Sequence, residues 1–264
     1  MSDTGRIVAV TGASSGIGLA AARLFRDRGD KVYCLSRHDP NEQGITFIRA
    51  DVTDEASVNA AFEAIGRAEG RIDVLLSNAG MGVSGAAECT TMQDAKRQLD
   101  VNFFGLHACV RAAMPLMRAN GGTILATSSV AAVFAIPFQA FYSASKFAVN
   151  ALILALANEL KPFNIRVAAI MPGDVKTGFT GARIKAKDEA NYGQSIEKSV
   201  AVMERDELNG MGPELIAKKF VALSLKKHPK VLSTVGLQYK FFCFLGKVLP
   251  IRLQNFIVGK MYIK

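Results

Sequence analysis

The chain has 264 residues, half of them hydrophobic and 21% charged, enough apolar material for one full core and too much for a disordered polymer. Its net charge of +9 is localised: residues 213–264 carry ten Lys/Arg against the single acid Glu214, so the preceding 212 residues balance. Four scattered cysteines without C-x-x-C spacing and no N-x-S/T sequon argue against a disulfide framework, and with no leader-like start and no uninterrupted apolar run near about 18 residues they predict a cytoplasmic, non-spanning protein.

Taken in order, short β-branched runs alternate with longer helical periods. Strands are predicted at 6–11, 31–36, 46–50, 73–77, 123–128 and 166–171, with a seventh near 231–235, and helices at 17–28, 55–69, 92–119 and 141–161. The strands are apolar on both faces, which predicts a doubly wound α/β fold: a parallel sheet covered by helices on both sides, in one domain over 1–264. In such sheets ligands bind beyond the carboxyl ends of the strands, so the loops after each strand carry the chemistry.

After the first strand comes Thr11-Gly12-Ala13-Ser14-Ser15-Gly16-Ile17-Gly18, opening a helix. A dinucleotide pyrophosphate needs a tight turn, close backbone approach and free N–H groups at a helix start, and Gly12, Gly16 and Gly18 suit the first two. Ser14, Ser15 and Ile17 share that loop. At the end of the second strand the sequence reads Ser36-Arg37, with Asp39 two residues on. A guanidinium binds a ribose 2′-phosphate that a carboxylate would repel, so NADP(H) is expected in preference to NAD(H), with Arg37 and Ser14 on the phosphate; a solvated surface role for Arg37 is the competing reading. Asp51 and Val52 after the third strand are placed for the adenine, and Asn78-Ala79-Gly80 after the fourth lets a cofactor lie against the backbone.

Tyr142 and Lys146 are four residues apart at a helix start, hence on one face. A phenol of ordinary pKa about 10 is a poor acid–base group near neutrality, and a neighbouring ammonium is expected to lower it by roughly two to three units. Ser129 is placed to donate to the substrate oxygen, with Ser128 as rival. Asn102 is placed to anchor a water that links Lys146 to solvent.

Thr-Gly-x-x-x-Gly-x-Gly at 11–18, Asn-Ala-Gly at 78–80, Asn102, Ser129, Tyr-x-x-x-Lys at 142–146 and Pro-Gly at 172–173 together resemble the short-chain dehydrogenase/reductase family over about residues 6 to 178. The resemblance implies a Rossmann-like seven-stranded sheet, a nicotinamide cofactor, and an Asn102-Ser129-Tyr142-Lys146 tetrad. It further implies that Lys146 holds the nicotinamide ribose, that Val175 and Thr177 after Pro172-Gly173 hold the carboxamide, and that homodimers or homotetramers form on two long helices.

Beyond Thr177 the chain is individual. Residues 179–209 read as a helical lid, and Phe134, Ile136, Pro137, Phe138 and Phe141 as an apolar pocket wall, favouring a lipophilic ketone or secondary alcohol, steroid-like or retinoid-like. The basic, apolar extension at 213–264 is similar to that of hydroxysteroid and retinol dehydrogenase-like members. It reads either as packing over the cleft or as an amphipathic contact with an anionic membrane surface. A nicotinamide-binding redox sensor without turnover is the alternative function, though it would not need the tetrad. A nucleotide-sugar epimerase would carry a different glycine spacing. No nucleic-acid motif and no metal-ligand spacing is present, so neither partner is expected.

Overall fold

The computed structural model describes residues 5–186 and 190–263; positions 187–189 of the predicted lid, with 1–4 and 264, lie outside the described residues. Strand β1 (Ile7–Thr11) is buried along its whole length and leads into α1 (Gly16–Asp27), β2 (Lys31–Ser36) and β3 (Ile45–Arg49). Helix α2 (Glu55–Glu69) begins where the Asp54 carboxylate accepts from the N–H groups of Ala56 and Ser57, and ends at Gly70, whose φ of 70° stops it. β4 (Val74–Ser77) and the two-residue β5 (Val83–Ser84) precede α3 (Met92–Leu99), which is capped by Thr91. α3 passes through one π turn, Asp100–Phe104, into α4 (Gly105–Met117). Then follow β6 (Gly122–Thr127), α5 (Ala140–Glu159), β7 (Ile165–Met171), β8 (Ile184–Lys185), α6 (Ser195–Leu208), α7 (Pro213–Ser224), β9 (Leu232–Thr234), α8 (Leu237–Val248) and α9 (Ile251–Tyr262).

Seven strands pair in the order β3-β2-β1-β4-β6-β7-β9, all parallel, with Ile7 opposite Lys31 and Val8 opposite Val74 setting the central register. The chain winds outward from β1 to β3 and then returns to the other side of β1 at β4, so a crevice opens at the carboxyl ends of β1 and β4. Two apolar layers hold the sheet. Val58, Ile65, Leu106, Val110, Val149 and Ile153 bring α2, α4 and α5 onto one face. Ala21, Phe25, Ile216 and Phe220 bring α1 and α7 onto the other.

The expected seven-stranded Rossmann-like sheet is therefore present. Three local expectations change. The single helix at 92–119 is two helices joined by the π turn. Among the described residues of the lid at 179–209, α6 and a short 3-10 turn at Ala190–Tyr192 are helical, while β8 leaves it to pair with β5. The tail folds into α7, the last sheet strand and a helical hairpin. By length and composition α5 is the one described helix apolar enough to cross a membrane, although no single apolar run in the sequence suggested it. It packs against the sheet.

Candidate active site

One cleft of about 1140 Å³ runs along the carboxyl ends of the strands. It is lined by all the catalytic and cofactor-binding residues expected from sequence except Gly18 and Asn102, which stand just behind its wall. At Gly12, φ is 62° and a Cβ would lie 2.7 Å from the Ala79 Cα, so the turn into α1 admits no side chain. Gly18 serves packing: its Cβ would meet the Asn78 Nδ2 and the Gly12 carbonyl oxygen at 2.5 Å. Thr177 leans over the same loop, its methyl 3.4 Å from where a Gly16 Cβ would be.

The N-terminus of α1 differs from those of α2 and α3. Its cap residue Ser15 makes no side-chain hydrogen bond, and its first turn holds no acid. The helix start thus keeps unpaired N–H groups and an unopposed partial positive charge, which is what a pyrophosphate requires. Asn78, expected beside the cofactor, has its side chain engaged with the protein. Its amide donates to the carbonyls of Thr11 and Gly12, and its Oδ1 accepts from the Thr127 hydroxyl at 2.9 Å. It stitches β1, β4 and β6 together where they meet the cleft.

At the other end of the glycine loop, Arg37 is exposed on the cleft, whereas the Asp39 carboxylate accepts from the Asn41 N–H at 2.8 Å within its own turn. Asp51 is desolvated, which alone would raise its carboxyl. Hydrogen bonds from Thr53 and the charges of Arg37 and Arg97 outweigh this and hold it below the usual range. Arg97 of α3 was not anticipated; only the tertiary packing of α3, against α5, brings it here.

Tyr142, Lys146 and Ser129 come together beside this loop. Lys146 is buried, and its Nζ donates to the Thr127 carbonyl at 2.9 Å and sits 5.7 Å from the Tyr142 ring centroid. Desolvation lowers Lys146 to about 8. The same desolvation pushes Tyr142 up to about 12, opposed by a hydrogen bond with Ser129 and raised further by Glu207. The direction is opposite to the expected depression of the phenol by its lysine: burial dominates at both groups, and the ammonium's bond is to a backbone carbonyl. Ser128 faces the other way, its hydroxyl donating to the Lys146 carbonyl at 3.5 Å, so Ser129 is the serine that shares the site with Tyr142.

Asn102 sits in the π turn, a geometry often used to aim a functional group. Its Oδ1 accepts from the Met81 N–H at 2.9 Å, and its Nδ2 donates to the Met81 carbonyl and to the Ser145 hydroxyl at 3.0 Å. Asn102 thereby braces the loop after β4 against α5.

Beyond Tyr142 the cleft changes character. Phe134 and Ile136 line it as expected, but Pro137, Phe138 and Phe141 do not; Phe138 turns away and packs edge-on against Tyr192. More of the apolar wall comes from the lid, where Phe179 lies with its ring centroid 5.9 Å from that of Tyr142 beside Ala182 and Ile184, and from the tail: Phe242, Leu245 and Leu249 with Ile257, Val258 and Met261. Asp174, Asp206 and Glu207 add carboxylates there. The Glu207 carboxylate accepts from Thr180 and pairs with the buried Arg183, which fastens the segment before β8 to α6. Tyr239 of α8 fits against Gly173, donates to the Asp174 carboxylate at 2.7 Å and accepts from the Asp174 N–H at 3.0 Å.

The short chain dehydrogenase family model matches residues 6–188, and this chain belongs to that family of oxidoreductases. It is 39% identical over 88% of its own length and 88% of the other chain's to a 3-ketodihydrosphingosine reductase of Bacteroides thetaiotaomicron. A probable short-chain type dehydrogenase/reductase, VdlC, of Helicobacter pylori is 33% identical over 91% of this chain and 92% of its own. Among solved structures, a short-chain dehydrogenase from Streptomyces avermitilis superposes with a TM-score of 0.84 at 27% identity, covering 98% of this chain and 97% of that one. A 3-ketoacyl-(acyl-carrier-protein) reductase from Brucella melitensis, solved with NADH, gives 0.74 at 27% identity over 88% and 96%.

Proposed function

We propose that the chain is an NADP(H)-dependent reductase of a lipophilic, long-chain ketone, acting between that ketone and its secondary alcohol. One observation carries this reading: the cleft is continuous from the glycine loop, past Tyr142, to the apolar wall of α8 and α9. The likeness to a reductase named for 3-ketodihydrosphingosine, a long-chain amino ketone, moves the emphasis from steroid-like or retinoid-like rings to an extended chain.

The free N-terminus of α1 and the exposed Arg37 support a dinucleotide with a 2′-phosphate. When bound, the nicotinamide supplies the hydride and, once oxidised, a positive charge beside the phenol. Lys146 would hold the ribose hydroxyls, and Val175 and Thr177 the carboxamide. A phenol that keeps its proton well above neutrality is in the state reduction requires: Tyr142 gives that proton to the substrate oxygen while the Ser129 hydroxyl holds it. Asn102 keeps the loop in register and, in this proposal, holds the water through which Lys146 returns a proton to Tyr142.

The test is oxidation of NADPH and NADH against ketones of increasing chain length, with wild type, Arg37→Ala and Tyr142→Phe. Expected are preference for NADPH, its loss in Arg37→Ala, and a fall in kcat of about a thousandfold in Tyr142→Phe with cofactor binding kept. A preference for NADH would overturn the cofactor assignment, and an active Tyr142→Phe would overturn its role. NADPH binding without turnover of any carbonyl would return the reading to a redox sensor.

A further inference from the structure

The hairpin of α8 and α9 is apolar on both sides. Its inner side lines the cleft, and α9 is clipped back onto α8 by the Gln254 amide, which donates to the carbonyls of Gly246 and Leu249. Its outer side carries Leu237 (83% exposed), Phe241 (59%), Phe244 (59%) and Val248 (56%), spaced i, i+4, i+7, i+11 and hence one stripe along α8. Phe256 (62% exposed) and Leu253 add to the outward apolar surface of α9. Lys240, Lys247, Arg252 and Lys260 are exposed among these residues, and no acid follows Glu214 in the chain.

A contiguous exposed stripe of this kind calls for a partner. A second copy docking by the same face would set these cations against themselves with no acid on the hairpin to receive them. At 12 residues each, the two helices are too short to span a bilayer but suited to lie in its surface, apolar stripe down and cations at anionic headgroups. Resting on the reductase reading above, we propose that the hairpin docks on an anionic lipid surface and admits the substrate's hydrocarbon chain from the bilayer into the cleft that its inner side lines. The roof of the pocket and the docking face are then the same two helices.

The experiment pairs co-sedimentation with turnover. Full-length protein, Phe241→Ser/Phe244→Ser and Lys240→Glu/Lys247→Glu are mixed with vesicles of phosphatidylglycerol and phosphatidylcholine or of phosphatidylcholine alone, and assayed on a short soluble ketone and on a long-chain ketone in the vesicles. None of the four residues lines the cleft. The wild type is expected to bind the anionic vesicles at least tenfold better than the neutral ones. Both variants are expected to lose at least tenfold in binding and in turnover of the vesicle-borne ketone, while staying within twofold of wild type on the soluble one. Equal binding by wild type and variants, or a stripe variant that changes the oligomer in light scattering and leaves vesicle binding unchanged, overturns the proposal. Stripe-dependent vesicle binding with no turnover of any ketone would leave the docking intact and reject the reductase reading instead.

Discussion

Lys146 is a cation only 4% exposed in the wall of the cleft, and its titration shows what that burial costs the fold. Desolvation lowers it from an ordinary 10.5 to about 8. Between those values the unfolded chain binds more protons than the folded one, so this residue's contribution to stability rises with pH across that window. The full effect is about 3 kcal/mol. Lys146→Met should therefore melt above the wild type at pH 7, with the advantage shrinking towards pH 10.5, while turnover is lost. A constant difference in melting temperature across that range would refute the assignment. Tyr142 has the opposite sign, its stabilising proton being lost between 10 and about 12, but it is common to both proteins and cancels in the comparison. The two groups are thus mismatched on their own, an acid held up and a base held down, and in the proposed reaction a bound cationic ring would lower the phenol.

Among the elements, α8 is fixed to the body by Gly246, which lies against Val133 and Phe134, and by Tyr239, which both donates to and accepts from Asp174 and lies flush on Gly173. Tyr239→Phe keeps the ring and removes both bonds, leaving a half-buried carboxyl already raised by burial to rise further. The expected loss is about 1–3 kcal/mol, with faster amide exchange confined to α8 and α9. Unchanged exchange in the hairpin would mean that packing alone holds it. What could be read ahead of the fold follows from the range of each interaction. The glycine loop, the Tyr142/Lys146 pair and the strand ends are local patterns, and each falls within a residue or two of its place. The π turn at Asp100–Phe104 leaves no mark, because the helical period continues through it on both sides. The lid's composition is helix-forming, yet Ile184 and Lys185 are drawn off to pair with Val83 and Ser84, an interaction across a hundred residues. The Thr127 carbonyl that receives Lys146 is backbone, and Arg97 and Glu207 reach the cleft only by tertiary packing, so no spacing announced them.

For the molecule as a whole, the sheet divides its duties between two sides. α1 and α7 cover one face, while α2, α4 and α5 cover the other and leave Phe104 (53% exposed), Phe147 (44%) and Leu154 (48%) outward. These apolar residues, Phe104 in the π turn and Phe147 and Leu154 on α5, make this face the place for the homodimer or homotetramer that we propose. Phe147→Glu/Leu154→Glu is expected to shift the particle mass in light scattering to that of a single chain, and a wild type already monomeric at micromolar concentration would reject the assembly. The net positive charge also has a place at this scale: it resides in the last fifth of the chain, shared between α7 with the turn after it and the α8–α9 hairpin.

The order of the elements along the chain carries one more consequence. Every strand of the large sheet, and the whole nucleotide crevice, is encoded before α8 and α9. During synthesis, which lets earlier segments fold first, the growing polypeptide can assemble a nucleotide-binding half while its substrate half still lies open. Proteolytic clipping between β9 and α8 would leave the same half-made object, able to take up a dinucleotide and lacking the wall against which a hydrocarbon tail is held.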